Sequence, residues 1–219
     1  MNNSKIIGLG HYVPDNIVTN DDLSKVLDTS DKWIQSRTGI KERRWVTMES
    51  GDTAATMGVK AARIAIFKAN LIPKDIDFII FATMTPDYYF PGCGVQVQAE
   101  LGIKDIGALD VRNQCSGFIY ALSVADKFIK TGTYKNILVI GAELHSGGLD
   151  KTPRGRDVSV IFGDGAGALV LSRTDENKGI LSTHLHSNGN YAEDLAVVGP
   201  SPRHGVGLDN HWIKSVQDN

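Results

Sequence analysis

"DVRNQCSGFIYAL", residues 110–122, joins two periodicities at one sulfur. Upstream, "IGALDV" (106–111) is a short apolar run of the kind that makes a buried strand. Downstream, "CSGFIYALSVADKFIKTG" (115–132) places Phe118, Leu122, Ala125 and Ile129 on one face of a helix that stops at Gly132. A strand delivering a residue to the first turn of a helix is a βα joint. Cys115 stands at it.

The same alternation extends in both directions. "KIIGLG" (5–10), "FIIFATM" (78–84), "NILVIGAE" (136–143), "VSVIF" (158–162) and "AGALVLS" (166–172) read as buried strands. Helical patterns lie between them: "DTAATMGVKAARIAIFKAN" (52–70) with Asp52 as its cap, and "GVQVQAELG" (94–102). Earlier, "DKWIQSRTG" (31–39) is capped by Ser30 and stopped by Gly39. Apolar strands separated by helices predict a layered α/β fold with a largely parallel sheet covered on both faces. The last two strong runs, joined by "GDG", read as an antiparallel hairpin at the sheet edge. A new strand is expected at "ILSTHLH" (180–186), followed by a loop-like tail over 188–219. A fold seldom ends this way, which suggests a chain cut short.

Composition excludes several classes of function. The 219 residues carry a net charge of −2, and the basic side chains are scattered, which argues against nucleic acid or an anionic membrane as partner. "KERR" (41–44) is the one short basic cluster and reads as a solvated face. The start "MNNSKIIGLG" is too short in apolar residues for a signal peptide, and no run approaches a membrane span. Two cysteines in unlike settings form no disulfide framework, so both read as reduced thiols of a cytoplasmic protein. His184 and His186 share a strand face without a third ligand nearby, so no metal site is expected.

Cys115 admits two readings from the residues alone: buried filler, or a nucleophile. For the second, a helix start offers unpaired amides and the positive end of the macrodipole to a thiolate and to an oxyanion. Gly117 would leave space for a substrate chain. Cys93, in "YYFPGCGVQ", reads as filler, since no strand delivers it. "FGDGAGALV" is not a phosphate loop, because no Lys-Ser/Thr follows and a strand comes next. Trp33 and Arg37 lie four apart on one helical face, a spacing that equally suits a helix stapled to the core.

Taken together, "GLGHYVPDNIVTNDDL", "TSDKWIQSRTGIKERR", "DVRNQCSGFIYALSVAD", "IFGDGAGALVLS" and "GILSTHLHSNG" resemble, in order, the N-terminal portion of a β-ketoacyl-acyl carrier protein synthase III, a condensing enzyme of the thiolase superfamily. The resemblance implies a thiolase-like layered α-β-α-β-α fold, with residues 1–173 as the complete first repeat and 174–219 as the start of a truncated second one. It implies that Cys115 accepts an acyl group from acyl-coenzyme A, a substrate rather than a permanently bound cofactor. The group then condenses with a malonyl unit on acyl carrier protein. Trp33 and Arg156 match the pair that holds the adenine of coenzyme A, with Arg37 at the channel mouth and Thr29 beside the adenine. Phe162 matches a phenylalanine packed near the cysteine. Phe90 matches one that crosses a homodimer interface into the partner's acyl pocket.

Two departures stand out. Arg112, Asn113 and Gln114 replace the small residues that often precede the cysteine. The family's "H-x-A-N" and "G-N-T-S" settings, whose histidine and asparagine drive decarboxylation, do not occur in these 219 residues. In the family the patch that receives carrier protein also falls in the absent part. The expectation is a chain that acylates but does not condense alone. Two rivals remain: a non-condensing, coenzyme A-binding partner subunit, or an acyltransferase that uses another nucleophile as acceptor.

Overall fold

A computed structural model describes residues 2–192, 194 and 195. By their contacts the residues fall into two units, Met1–Thr183 and His184–Asn219. In the second, the described residues form one short turn over Gly189–Tyr191, which the Asn188 side chain caps by accepting from Asn190 N–H. Most of the tail expected over 188–219 lies outside the described residues.

The first unit opens with β1 (Asn3–Tyr12) and β2 (Ile17–Thr19), followed by α1 (Asn20–Ser24) and α2 (Asp31–Thr38). β3 (Glu42–Arg44), α3 (Ala54–Lys68) and β4 (Phe78–Ala82) come next, then α4 (Gly94–Glu100) and β5 (Gly107–Val111). α5 (Gly117–Lys130), β6 (Asn136–Glu143), the short α6 (Arg156–Ser159) and β7 (Gly165–Thr174) complete it. Five strands form one sheet in the order β1-β7-β6-β4-β5, while β2 and β3 pair separately.

Alternation along the strands builds two cores. Ile79 and Phe81 of β4, Leu138 and Ile140 of β6, and Ala168 and Val170 of β7 face α3 and α4. Phe78, Ile80, Ile137, Val139, Leu169 and Leu171 face α5. Each fully buried Leu, Ile or Phe contributes about 1.5–3 kcal/mol, so both faces of the sheet must be covered. α3 comes close because it is lined with alanine and starts at a Thr53–Thr56 capping box. A Cβ at Gly8 or Gly10 of β1 would run into the carbonyls of Ala65 or Ala61, so glycine is required where that helix crosses the edge strand.

The layered α/β architecture agrees with the sequence pattern, but five local expectations are corrected. The sheet is mixed rather than largely parallel: β4 runs parallel to β5 and β6, whereas β7 is antiparallel to both β6 and β1. "VSVIF" forms no strand and no hairpin with β7. Pro153 and Gly155 start a helical turn there, and Ser159 Oγ donates to Asp150 C=O at 2.7 Å. Helical rather than alternating burial results, with Ser159 and Val160 inside and Val158 and Ile161 outside. Residues 180–186 also form no strand; Ile180 N–H bonds Ser4 C=O at 2.9 Å, without a continuing ladder. Within "KERR", Lys41 and Glu42 are exposed as expected, but Arg43 is only 6% exposed and donates to Val18 and Val160 C=O. The cap of α3 is Thr53 rather than Asp52, whose carboxylate instead accepts from Tyr12 O–H and pairs with Lys60.

Candidate active site

Cys115 lies in a single 3-10 turn, Gln114–Ser116, between β5 and α5, and its side chain is exposed. The backbone enters that turn through Gln114 at φ 45°, a left-handed conformation that L side chains rarely adopt. The helix that follows is left open at its start. Ser116 is the N-cap but makes no side-chain cap bond; it exchanges hydrogen bonds with Asn113 instead. No acidic residue stands in the first turn of α5, while Lys127 and Lys130 complement the dipole at its far end. Gly117 N–H donates to Gln114 C=O within the 3-10 turn, and no side-chain cap competes for the other amides at this start, which suits an anion near the sulfur.

A cavity of about 390 Å³ has Cys115 in its wall, with Gln114, Phe118, Glu143 and His145 beside it. Backbone lines the floor along β6 and β7. Gly141 is required there, since a Cβ would lie 2.9 Å from the Phe118 ring. At Gly117 a Cβ would meet Ala82 Cβ at 3.5 Å, an ordinary contact. The Arg112 guanidinium lies 5.2 Å from the Tyr89 ring centroid.

Two residues singled out in the sequence gather around the indole of a third, Trp33. The Arg37 and Arg156 guanidinium groups lie 4.3 and 4.8 Å from the Trp33 ring centroid. Arg156 also donates to Asp28 C=O at 3.4 Å, which ties it to the turn carrying Thr29. Thr29 Oγ1 is buried without a hydrogen-bond partner among the described residues. Ser30 Oγ accepts from Trp33 N–H, and Gly39 ends α2 at φ 74°, as the sequence pattern predicts. Trp33 is also half-buried against Leu23, Ile34 and Val160, so packing and stacking coexist.

Contacts link this cluster to the cavity. Trp45 belongs to the same small core as Trp33 and donates from Nε1 to Phe162 C=O at 3.1 Å. The Phe162 ring packs against His145, which lines the cavity. Phe90 stands apart, 82% exposed beside exposed Tyr88 and Tyr89.

Sequence reasoning missed Glu143, His145 and Asp164. Asp164, in the "GDG" turn, accepts from the backbone N–H groups of Val46, His145 and Ser146 at 2.7–2.9 Å, and so fixes the segment carrying His145. The available signal was polar residues directly after an apolar strand, in "VIGAELHS". Among the described residues no group of three His, Cys, Asp or Glu side chains could hold a metal ion. No helix among them is long and apolar enough to cross a membrane.

Comparison with known proteins gives a consistent result. The family described as 3-oxoacyl-[acyl-carrier-protein (ACP)] synthase III matches residues 109–189. The β-ketoacyl-[acyl-carrier-protein] synthase III of Pasteurella multocida is 50% identical over 211 residues, covering 96% of this chain and 64% of that protein. That of Ehrlichia canis is 46% identical over 207 residues, covering 94% and 64%. The crystal structure of 3-oxoacyl-[acyl-carrier-protein] synthase III from Aquifex aeolicus superposes with a TM-score of 0.81 at 49% identity, over 85% of this chain and 59% of that one. The Pseudomonas aeruginosa enzyme gives 0.83 at 33%, over 92% and 62%. The chain thus spans about three-fifths of the length of these relatives.

Proposed function

We propose, from the premise that the chain belongs to the β-ketoacyl-[acyl-carrier-protein] synthase III family, that Cys115 is the acyl acceptor of a condensing enzyme of fatty acid synthesis. The observation that carries this reading is an exposed sulfur in a cavity wall at an uncapped helix start. The Cys115 thiolate attacks the thioester carbonyl of acyl-coenzyme A. An S–C bond forms, the tetrahedral oxyanion draws on amides at the helix start, and the bond to coenzyme A breaks as its thiolate leaves and takes up the proton that the Cys115 thiol gave up. One thioester replaces another, so the step is nearly balanced in free energy.

In this reading Trp33 and Arg156 hold the adenine, an arrangement suited to a flat base beside a guanidinium plane. Arg37 flanks the entrance, and Thr29 offers the adenine its unpartnered hydroxyl. Phe162 supports the cavity wall through His145. Malonyl-acyl carrier protein is the second substrate: loss of carbon dioxide generates the carbanion that takes the acyl group from Cys115. Exposed Phe90 would enter the partner's pocket in a homodimer, and the working compartment is the cytoplasm.

Intact-mass analysis after incubation with acyl-coenzyme A should show one acyl adduct, absent from Cys115→Ser. An adduct that survives the substitution overturns the assignment. The family's decarboxylation motifs do not occur in these 219 residues, so acylation without condensation is expected of this chain alone. Ketoacyl product from the purified chain would refute that part.

A further inference from the structure

The cavity beside Cys115 carries polar groups that acyl transfer does not use. Glu143 ends β6 and is fully engaged: Oε1 accepts from Met84 N–H at 2.9 Å, and Oε2 accepts from Thr85 O–H at 2.6 Å and Thr83 O–H at 3.3 Å. Two residues on, Asp164 holds the His145 backbone at 2.8 Å. The His145 ring leans on Phe162 with centroids 4.5 Å apart, and its Nε2 lies 3.9 Å from Glu143 Oε2. The ring is thereby held by an aromatic face and a carboxylate and is only 16% exposed. His145 and Gln114 stand on the same cavity wall as Cys115.

A plain alkyl chain on Cys115 would cover this imidazole and amide without satisfying them, and an unpaired buried polar group is costly. A chain ending in a carboxylate would bring a second negative charge toward Glu143. With an Nε2–H turned toward the Glu143 carboxylate, Nδ1 is left as an acceptor. An acceptor calls for a hydroxyl. We propose that His145, with Gln114, selects acyl-coenzyme A primers bearing an uncharged hydroxyl on the acyl chain. Glu143 acts through His145 and is a positioning residue. This inference rests on Cys115 being the acyl acceptor.

The test is competition at the sulfur, using the whole chain. Equimolar butanoyl-coenzyme A is set against 3-hydroxybutanoyl- or 4-hydroxybutanoyl-coenzyme A, and the two adducts are counted by intact mass. The native chain should favour at least one hydroxyacyl group by about tenfold, the factor that corresponds to about 1.4 kcal/mol. His145→Leu should abolish the preference and His145→Gln, which keeps an acceptor, should retain part of it. Cys115 adducts without a hydroxyl preference in the native chain overturn this inference and leave the acyl-acceptor reading intact. A preference unchanged in folded His145→Leu also overturns it. Failure of every thioester to acylate Cys115 overturns both.

Discussion

Two helices of the same layered fold begin at or just after a cysteine, and their first turns are treated in opposite ways. At α4, Cys93 is the N-cap, and the Asp110 carboxylate accepts from Cys93 N–H at 2.6 Å and Gly94 N–H at 2.8 Å. At α5, the turn holding Cys115 has no such anion, and Ser116 keeps its hydroxyl away from the helix amides. The contrast comes from one strand. Asp110 is in β5, the strand that delivers Cys115 five residues later, and it faces α4. A helix start becomes a reactive site only when the protein withholds its own anion from it. Burial completes the difference: it pushes the Cys93 thiol up to about 12, whereas Cys115 is exposed.

The largest expected effect is therefore in thiol chemistry. At pH 8 a thiol titrating near 12 is ionised in roughly one part in ten thousand, and it is shielded as well. Iodoacetamide should label Cys115 of the folded chain at least about a hundredfold faster than Cys93. The Cys93 rate should still be climbing with pH above 10, because its thiolate keeps growing until its own raised value is passed. Peptide mapping of the labelled protein measures both rates. Comparable labelling of the two cysteines in the folded state breaks the comparison.

The next effect separates reactivity of the sulfur from the proposed recognition of acyl-coenzyme A. Trp33→Ala should raise the KM of self-acylation by acyl-coenzyme A about thirtyfold, in keeping with about 2 kcal/mol for an anchoring aromatic. Iodoacetamide labelling of Cys115 should not change. If Trp33 serves only to staple α2 to the core, thermal stability falls and KM stays where it was.

Much of this site was legible in sequence because it depends on local rules. A run of apolar residues, a cap and a glycine stop are written within one turn of where they act, and Ser30, Gly39 and the face of α5 follow them. The gathering of Arg37 and Arg156 about Trp33 needed the resemblance to a family, since Arg156 lies 123 positions beyond Trp33, where no periodicity can reach. Long-range polar contacts were illegible. "VSVIF" has the composition of a strand, yet Arg43, from a cluster that looks solvated, is buried against Val160 C=O. "GDG" shows only a turn, while its Asp164 organises three distant amides. Side-chain to backbone bonds across a hundred residues leave no periodic trace.

The smallest effect expected lies in the glycines that follow the two cysteines. A Cβ on Gly94 would come within 2.7 Å of Asp110 Oδ1, and the carboxylate cannot retreat without losing the two amides it accepts from. Gly94→Ala should therefore cost at least about 1 kcal/mol, the lower end for an overpacked site. A Cβ on Gly117 meets Ala82 Cβ at 3.5 Å with no polar bond at stake, and alanine favours a helix over glycine. Gly117→Ala should leave stability within about 0.5 kcal/mol of the native chain, as for a substitution that strains nothing. Urea unfolding of the two variants measures the difference directly. Equal losses would mean that the start of α4 is not held by Asp110, and that the occupied and open helix starts differ in exposure alone.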